Sequence, residues 1–524
     1  MFRKILLVAA CLMPGVAQAE WQEARTKHFS VYSDDTPEHI RDYAVRLEKF
    51  DKAIRILHGA PEDPRAVPNR VTVFVLPDVD AVQKLHPGAA GFWEPFSNAP
   101  AFMPRSGGNN SNGLTPQVIM FHEYTHHWML TSWSDAAFPA WFAEGMAEMH
   151  ATALFRSDGS VVFGANPRYR RYGVSWSDVM PANRLLTAIP GKLQPEESAA
   201  LYGRGWLLTH YLMFDPERRK LLASYIAAIN AGQPPLDAAK IFGNLSVLDV
   251  KLDNYGSRPS FPSISIPASA LKVGEIKIRV LPAGEAAVMP ARIRSAAGVD
   301  KTSAPGALTL ARKLAEPFPN DAGAQNELAE AEFDAAGLGP AADAEAGYRR
   351  AEAAADRALA GDPRSVHALL YKGRAQAALA EKAGITDAAT WQGIRHWFVA
   401  ANKIETENAE PLYAYYASFA AAKQAATKNA ELGLLYAYAL APQDLNLRMA
   451  AGKIYLHQGK AEQARIALTP IAFNLEIGAA GDGLRKILAA LDTGGTTAAL
   501  AEIDAQENKT KADAAKAKDG DKSH

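Results

Sequence analysis

Two adjoining stretches decide how this chain is read: His122-Glu123-Tyr124-Thr125-His126, and then Pro139-Ala140-Trp141-Phe142-Ala143-Glu144-Gly145-Met146-Ala147-Glu148. Residues four apart on a helix share one face, so His122 and His126 can reach a single ion. Zinc accepts such nitrogen ligands in a tetrahedral shell and can leave one position for water. Glu123, beside the first imidazole, is placed to take a proton from that water. A third ligand is required, and the following helix offers Glu144. Glu148, one turn on, can accept a hydrogen bond from a ligand imidazole and fix its tautomer. Trp141, Phe142, Met146 and Met149 surround the two acids, which predicts a buried helix. A buried carboxylate without a cation or donor is costly. The expected cofactor is therefore zinc (Zn2+), held by His122, His126 and Glu144.

A third element is Tyr202-Gly203-Arg204-Gly205-Trp206, in a helical stretch over about 198–213. Hydrolysing an amide creates an oxyanion, and a phenol opposite the metal can donate to it. Spacing alone favours a plainer role for Tyr202, a buried ring whose hydroxyl finds a backbone partner. His127 leaves the helix in a different direction from His122 and His126 and reads as packing or surface. His150 lies off the face of Glu144. His210 reads as a core histidine or a support to the site, and Arg204 as a solvated side chain.

Together these motifs resemble the gluzincin metallopeptidases, most closely the bacterial peptidase-MA-like proteins with C-terminal tetratricopeptide repeats. Aminopeptidases of that clan carry H-E-x-x-H, a third-ligand Glu within W-[LF]-x-E-G, and a downstream Y-x-x-G whose Tyr binds the oxyanion. The matching positions here are His122, Glu123, His126, Glu144 and Tyr202. The resemblance implies zinc ligation by His122, His126 and Glu144, catalysis by Glu123 and Tyr202, and a peptide or protein substrate. It covers roughly residues 20–230. Two features depart from it. Between His126 and Glu144 lie 17 residues, one fewer than in the aminopeptidases. Their G-x-M-E-N segment has its nearest counterpart in Gly91-Phe92-Trp93-Glu94-Pro95, without the Met and Asn. That segment is expected to be an edge strand able to pair with an extended peptide.

Working outward, residues 20 to about 105 read as mixed α/β. His28–Ser33 and Val71–Leu76 are expected strands, and Ala90–Trp93 with Ala101–Met103 a strand pair. Thr36, followed by Pro37, starts a helix with Ile40, Tyr43, Leu47, Phe50 and Ile54 at helical spacing. Ser106–Gly113 is a flexible loop by composition. Ile276, Ile278 and Val280 alternate with charged residues, as in a half-exposed strand. From about 305 the chain is Ala-rich and helical, punctuated by Pro319, Pro363, Pro411 and Pro442. Leu369 and Gly373, then Gly452, Tyr455, Gly459 and Ala464, suit the close helix pairs of tetratricopeptide repeats. The expected fold class is an α+β zincin-like catalytic domain, a small β-rich connector and an all-α tetratricopeptide-like repeat domain. The expected boundaries are 1–19 for a signal peptide, 20–255, 256–300, 301–490, and a partly disordered tail over 491–524, of which residues 505–524 lack apolar mass and are expected to be solvated.

The whole chain has 524 residues, 48% hydrophobic and 22% charged, with a formal charge of −1. That excludes a wholly disordered or disulfide-framework protein, and no basic surplus points to nucleic acid. Arg3 and Lys4, the apolar run Ile5–Val16 and Ala17-Gln18-Ala19 form the pattern of a secretory signal. The single cysteine, Cys11, falls inside it. A lipoprotein anchor at Cys11 is the less favoured alternative, because only Ile5–Ala10 would remain as apolar core. No later stretch is long enough to span a bilayer. The expectation is an exported, periplasmic or secreted peptidase whose repeats bind a protein partner or the substrate through their concave face. The alternative is an envelope repeat scaffold with a structural or inactive zinc site.

Overall fold

The structure is a computed structural model and describes residues 20–60, 70–107, 113–473 and 479–520. The expected signal segment and the middle of the Ser106–Gly113 loop lie outside the described residues. The N-terminal half holds a six-stranded sheet in the order β4-β5-β3-β2-β1-β9. Its strands are β1 (Gln22–Arg25), β2 (Phe29–Ser33), β3 (Val71–Leu76), β4 (Phe92–Trp93), β5 (Ala101–Pro104) and β9 (Lys277–Val280). β2, β3 and β5 run parallel, whereas β4 pairs antiparallel with β5 and forms one edge. A second sheet joins β6 (Leu154–Phe155), β7 (Val161–Phe163) and β8 (Ile264–Ile266).

Helix α1 (Pro37–Leu57) starts at the Thr36 cap, whose side chain accepts from the His39 N–H. It is followed by α2 (Val79–Gln83), α3 (Pro116–Ser132) and α4 (Ala140–Ala151). α3 starts likewise, with Thr115 as cap and Pro116 in the first turn. Then come α5 (Arg171–Val174), α6 (Ala182–Leu186), α7 (Pro195–Met213), α8 (Pro216–Asn230), α9 (Pro235–Ala238) and α10 (Leu245–Gly256). One core unites the sheet with α1, α3, α4 and α7, and Phe50 stacks on Phe121 at 3.7 Å. Trp128, Trp141 and Trp206 are fully buried in it. α4 and α7 cross at Gly145 and Gly205. A methyl group on Gly145 would lie 2.2 Å from Thr209 Oγ1 and 2.4 Å from the Gly205 carbonyl oxygen, so no side chain fits there. This close approach holds Glu144 and Tyr202 on neighbouring helices.

The C-terminal half is a helical repeat scaffold of five helix pairs. They are α11 (Ala283–Ala296) with α12 (Ala304–Ala315), α13 (Ala322–Leu338) with α14 (Ala344–Gly361), and α15 (Val366–Lys382) with α16 (Ala388–Ile404). The last two are α17 (Ala409–Ala421) with α18 (Lys428–Leu440) and α19 (Leu445–His457) with α20 (Ala461–Ala472). Asp321, Ser365, Asp387, Asn408, Thr427 and Asp444 cap six of these helices with their side chains. Gly452 lets α19 meet α20, since a methyl there would fall 2.6 Å from Leu468.

Three boundary expectations change. The stretch 256–300 is no separate β-rich connector. Its strands complete the two N-terminal sheets, β9 against β1 and β8 against β7. Their partners lie more than 100 residues upstream, which local alternation does not reveal. The repeats begin at Ala283, ahead of 301. The tail is helical: α21 (Ala479–Gly520) continues across a break at Gly495. Its residues are largely Ala, Lys, Asp and Glu, and Ala, Lys and Glu are strong helix formers even when solvated.

The repeats also meet the N-terminal half of the chain. The first helices of the pairs face the chain's own segment 94–100. Arg292 of α11, Glu330 of α13, Tyr371 of α15 and Glu410 of α17 line one small cavity with Asn98 and Pro100. Gln443 donates to the Phe96 carbonyl at 3.0 Å. These contacts join residues hundreds of positions apart and leave no local trace in the sequence.

Candidate metal centre

α3 carries His122 and His126 on one face, and α4 brings Glu144 against them. His122 Nε2 lies 3.2 Å from Glu144 Oε2 and 3.3 Å from His126 Nε2, and the third separation, His126 Nε2 to Glu144 Oε2, is 3.7 Å. A tetrahedral ion with bonds of about 2.0–2.1 Å spaces its donors about 3.3 Å apart. The three atoms therefore fit one zinc ion. They are the only His, Cys, Asp or Glu group of this kind among the described residues.

The surroundings orient these ligands. Glu148 is fully buried, and its Oε1 lies 3.4 Å from His122 Nδ1, the nitrogen pointing away from the ligand cluster. Arg170 Nε donates to the same oxygen at 2.9 Å. The Arg170 guanidinium also lies over the Tyr202 ring, 4.2 Å from its centre. Burial opposes charge on Glu148, but Arg170 and His122 outweigh it and hold the carboxyl down at about 2. Burial likewise opposes a charged His122, yet bonds to Glu144 and Glu148 raise it to about 10. For His126 burial outweighs the nearby Glu144 charge and lowers it to about 4. Glu144 is held below the usual carboxylate range, since His126 and His122 overcome its burial. Burial lifts Glu123 to about 7.

Tyr202 is half-buried, with its ring 5.9 Å from that of His122. The Glu144 charge and burial push its phenol up, so it stays protonated. The five motif residues and Glu148 thus gather at one place. Arg170 was missed, because the run Arg168-Tyr169-Arg170-Arg171-Tyr172 does not say which arginine turns inward.

The other candidates lie elsewhere. His127 is buried, edge-on to Trp93 at 5.5 Å. His150 Nε2 meets His58 Nε2 at 2.8 Å beneath Trp128, a pair the sequence does not announce. His210 bonds the Tyr255 hydroxyl at 2.9 Å and stacks on Phe214. Arg204 is not solvated: it is completely buried and pairs with Asp249 at 2.9 Å and Asp253 at 2.7 Å. Those acids lie one turn apart on α10, far along the chain.

A cavity of about 340 Å³ opens beside the ligands. Glu123, His126 and Glu144 form one wall, and Leu445, Arg448 and Ile471 of the repeats form the facing one. Arg448 Nη2 donates to the Ser134 carbonyl at 2.5 Å, tying α19 to the loop between α3 and α4.

No family model matches the chain, and no curated protein matches it. Among solved structures the chain is similar to a thermophilic tetratricopeptide-repeat protein of Thermus thermophilus. The two are 21% identical, with a TM-score of 0.30, over 40% of this chain and 98% of the other. The repeat assignment itself rests on the stacked helix pairs described above.

Proposed function

We propose that this chain is an exported zinc-dependent peptidase of the gluzincin type, periplasmic or secreted, with a helical repeat module. The observation that carries the reading is the spacing of three donor atoms, 3.2, 3.3 and 3.7 Å, on the wall of a cavity that Glu123 also lines. A structural zinc site is closed by four protein ligands, whereas a catalytic one has three and an open side. When bound by His122, His126 and Glu144, zinc supplies a Lewis acid that polarises a carbonyl and lowers the pKa of water. Glu123, lifted by burial to about 7, takes a proton from the attacking water and returns it to the leaving amine. Tyr202 donates its phenolic hydrogen bond to the oxyanion that forms. Glu148 and Arg170 hold His122 in the tautomer that turns Nε2 toward the cluster. β4, at the edge of the sheet, is where an extended peptide would add a strand.

A second reading is an envelope repeat scaffold with a structural or inactive zinc site. It is favoured by the extent of the repeat array and its grip on segment 94–100. Among the described residues no helix is long and apolar enough to cross a membrane. The deciding experiment is metal analysis of the purified protein, followed by proteomic mapping of cleaved termini with wild type and Glu123→Gln. The peptidase reading expects one zinc per chain and cleavage that Glu123→Gln abolishes. Stoichiometric zinc with no cleavage of a broad peptide library selects the scaffold, and full activity in Glu123→Gln overturns the mechanism.

A further inference from the structure

The cavity beside the metal centre is built by both halves of the chain. Its N-terminal wall carries Glu123, His126 and Glu144. Much of its remaining lining is apolar, and the repeats contribute Leu445, Pro470 and Ile471. These residues are held in place from two sides. Gln443 bonds the Phe96 carbonyl on one flank of the cleft, and Arg448 bonds the Ser134 carbonyl on the other. The volume of about 340 Å³ lies at the low end of small-molecule sites, about 300–1,000 Å³. It accommodates a side chain and a short stretch of backbone, and it is too small for a folded partner.

The repeat wall is anchored. Arg448 is 1% exposed and lines this cavity. Its guanidinium donates to the Ser134, Pro442 and Ala467 carbonyls and to the Tyr438 hydroxyl. It is therefore a fixed part of the wall, while Glu123 and Glu144 line the same space. An apolar side chain entering there gains from leaving water.

Resting on the peptidase reading, we propose that α19 and α20 complete a substrate subsite that selects extended peptides with a large apolar residue next to the scissile bond. On this view the repeat module is part of the active site, and Leu445 and Ile471 determine specificity. Ile471→Trp narrows the space and Ile471→Ala widens it.

The test uses the full-length zinc-loaded protein and a set of fluorogenic peptides that differ at one position: Phe, Trp or Ala. Wild type is expected to cleave the Phe peptide with at least tenfold higher kcat/KM than the Ala peptide. Ile471→Trp is expected to lower the Phe-to-Ala ratio at least tenfold, and Ile471→Ala to raise the Trp-to-Phe ratio at least threefold. Thermal unfolding checks that each variant is folded, and either variant alone suffices. Ratios within twofold of wild type in the folded variants overturn the subsite while leaving the peptidase standing. If wild type cleaves no peptide, the peptidase reading fails. Calorimetric titration of the same peptides then reads the subsite through affinities, and equal or absent binding of the Phe and Ala peptides overturns it.

Discussion

Replacing Glu148 by Gln removes one negative charge from a fully buried position while keeping an oxygen that can accept. Two contacts set the size of the effect: 3.4 Å to His122 Nδ1 and 2.9 Å to Arg170 Nε. Loss of an anionic partner behind a ligand imidazole weakens metal binding by about 10–100-fold. That corresponds to about 1.4–2.7 kcal/mol. Stability also suffers, because Arg170 loses its counter-charge. Breaking a fully buried pair costs about 3–5 kcal/mol, but the Arg170 side chain is 28% exposed. Solvent recovers part of that loss, so about 2 kcal/mol is expected. Zinc affinity is measured by competition with a chromophoric chelator, and stability by urea denaturation with and without zinc. Arg170→Met provides the complementary arm and should weaken zinc binding in the same direction. Zinc affinities within twofold of wild type in both variants would refute the claim that Glu148 and Arg170 orient His122.

Further outcomes follow from other parts of the structure. Tyr202→Phe should retain zinc and lower kcat about 100-fold with little change in KM, as expected for a donor used in the transition state; an unchanged kcat removes Tyr202 from the chemistry. Gly145→Ala forces a methyl group to within 2.2 Å of Thr209 Oγ1, and overpacking of this kind costs about 1–3 kcal/mol. Calorimetry should show a lower Tm, together with reduced zinc content because α4 carries Glu144. Burial lowers His58 to about 4 and His150 well below its ordinary value, so both are neutral when folded. The unfolded chain protonates them near pH 6.5, so this stability is complete above that pH and is lost as pH falls toward 4. His58 alone accounts for about 3 kcal/mol of the loss. Urea midpoints that stay constant from pH 7 to 4.5 would contradict this assignment.

Much of the centre was legible because helical geometry is local. A four-residue interval fixes a shared face, which brought His122 and His126 together, and the aromatic residues around Glu144 announced a buried carboxylate. The β4–β5 pair was visible for a similar reason, since its strands are close in sequence. Contacts across long separations were not visible. Arg204 reads as an ordinary exposed arginine until Asp249 and Asp253 fold back onto it. The alternation at Ile276–Val280 showed a strand but not its partner, which is β1 at the start of the chain. Arg170 stands among similar residues in a short turn, and only the fold selects it.

The grip of the repeats on residues 94–100 has a mechanical consequence. Ala99 is fully buried there with a φ of 44°, a left-handed backbone that a non-glycine residue adopts at a cost. The same segment leads directly from Trp93, which borders the cavity beside His126 and Glu144. A partner that engaged the repeat residues touching this segment would pull on it, and the tug would be transmitted along a few residues to Trp93 and the cavity.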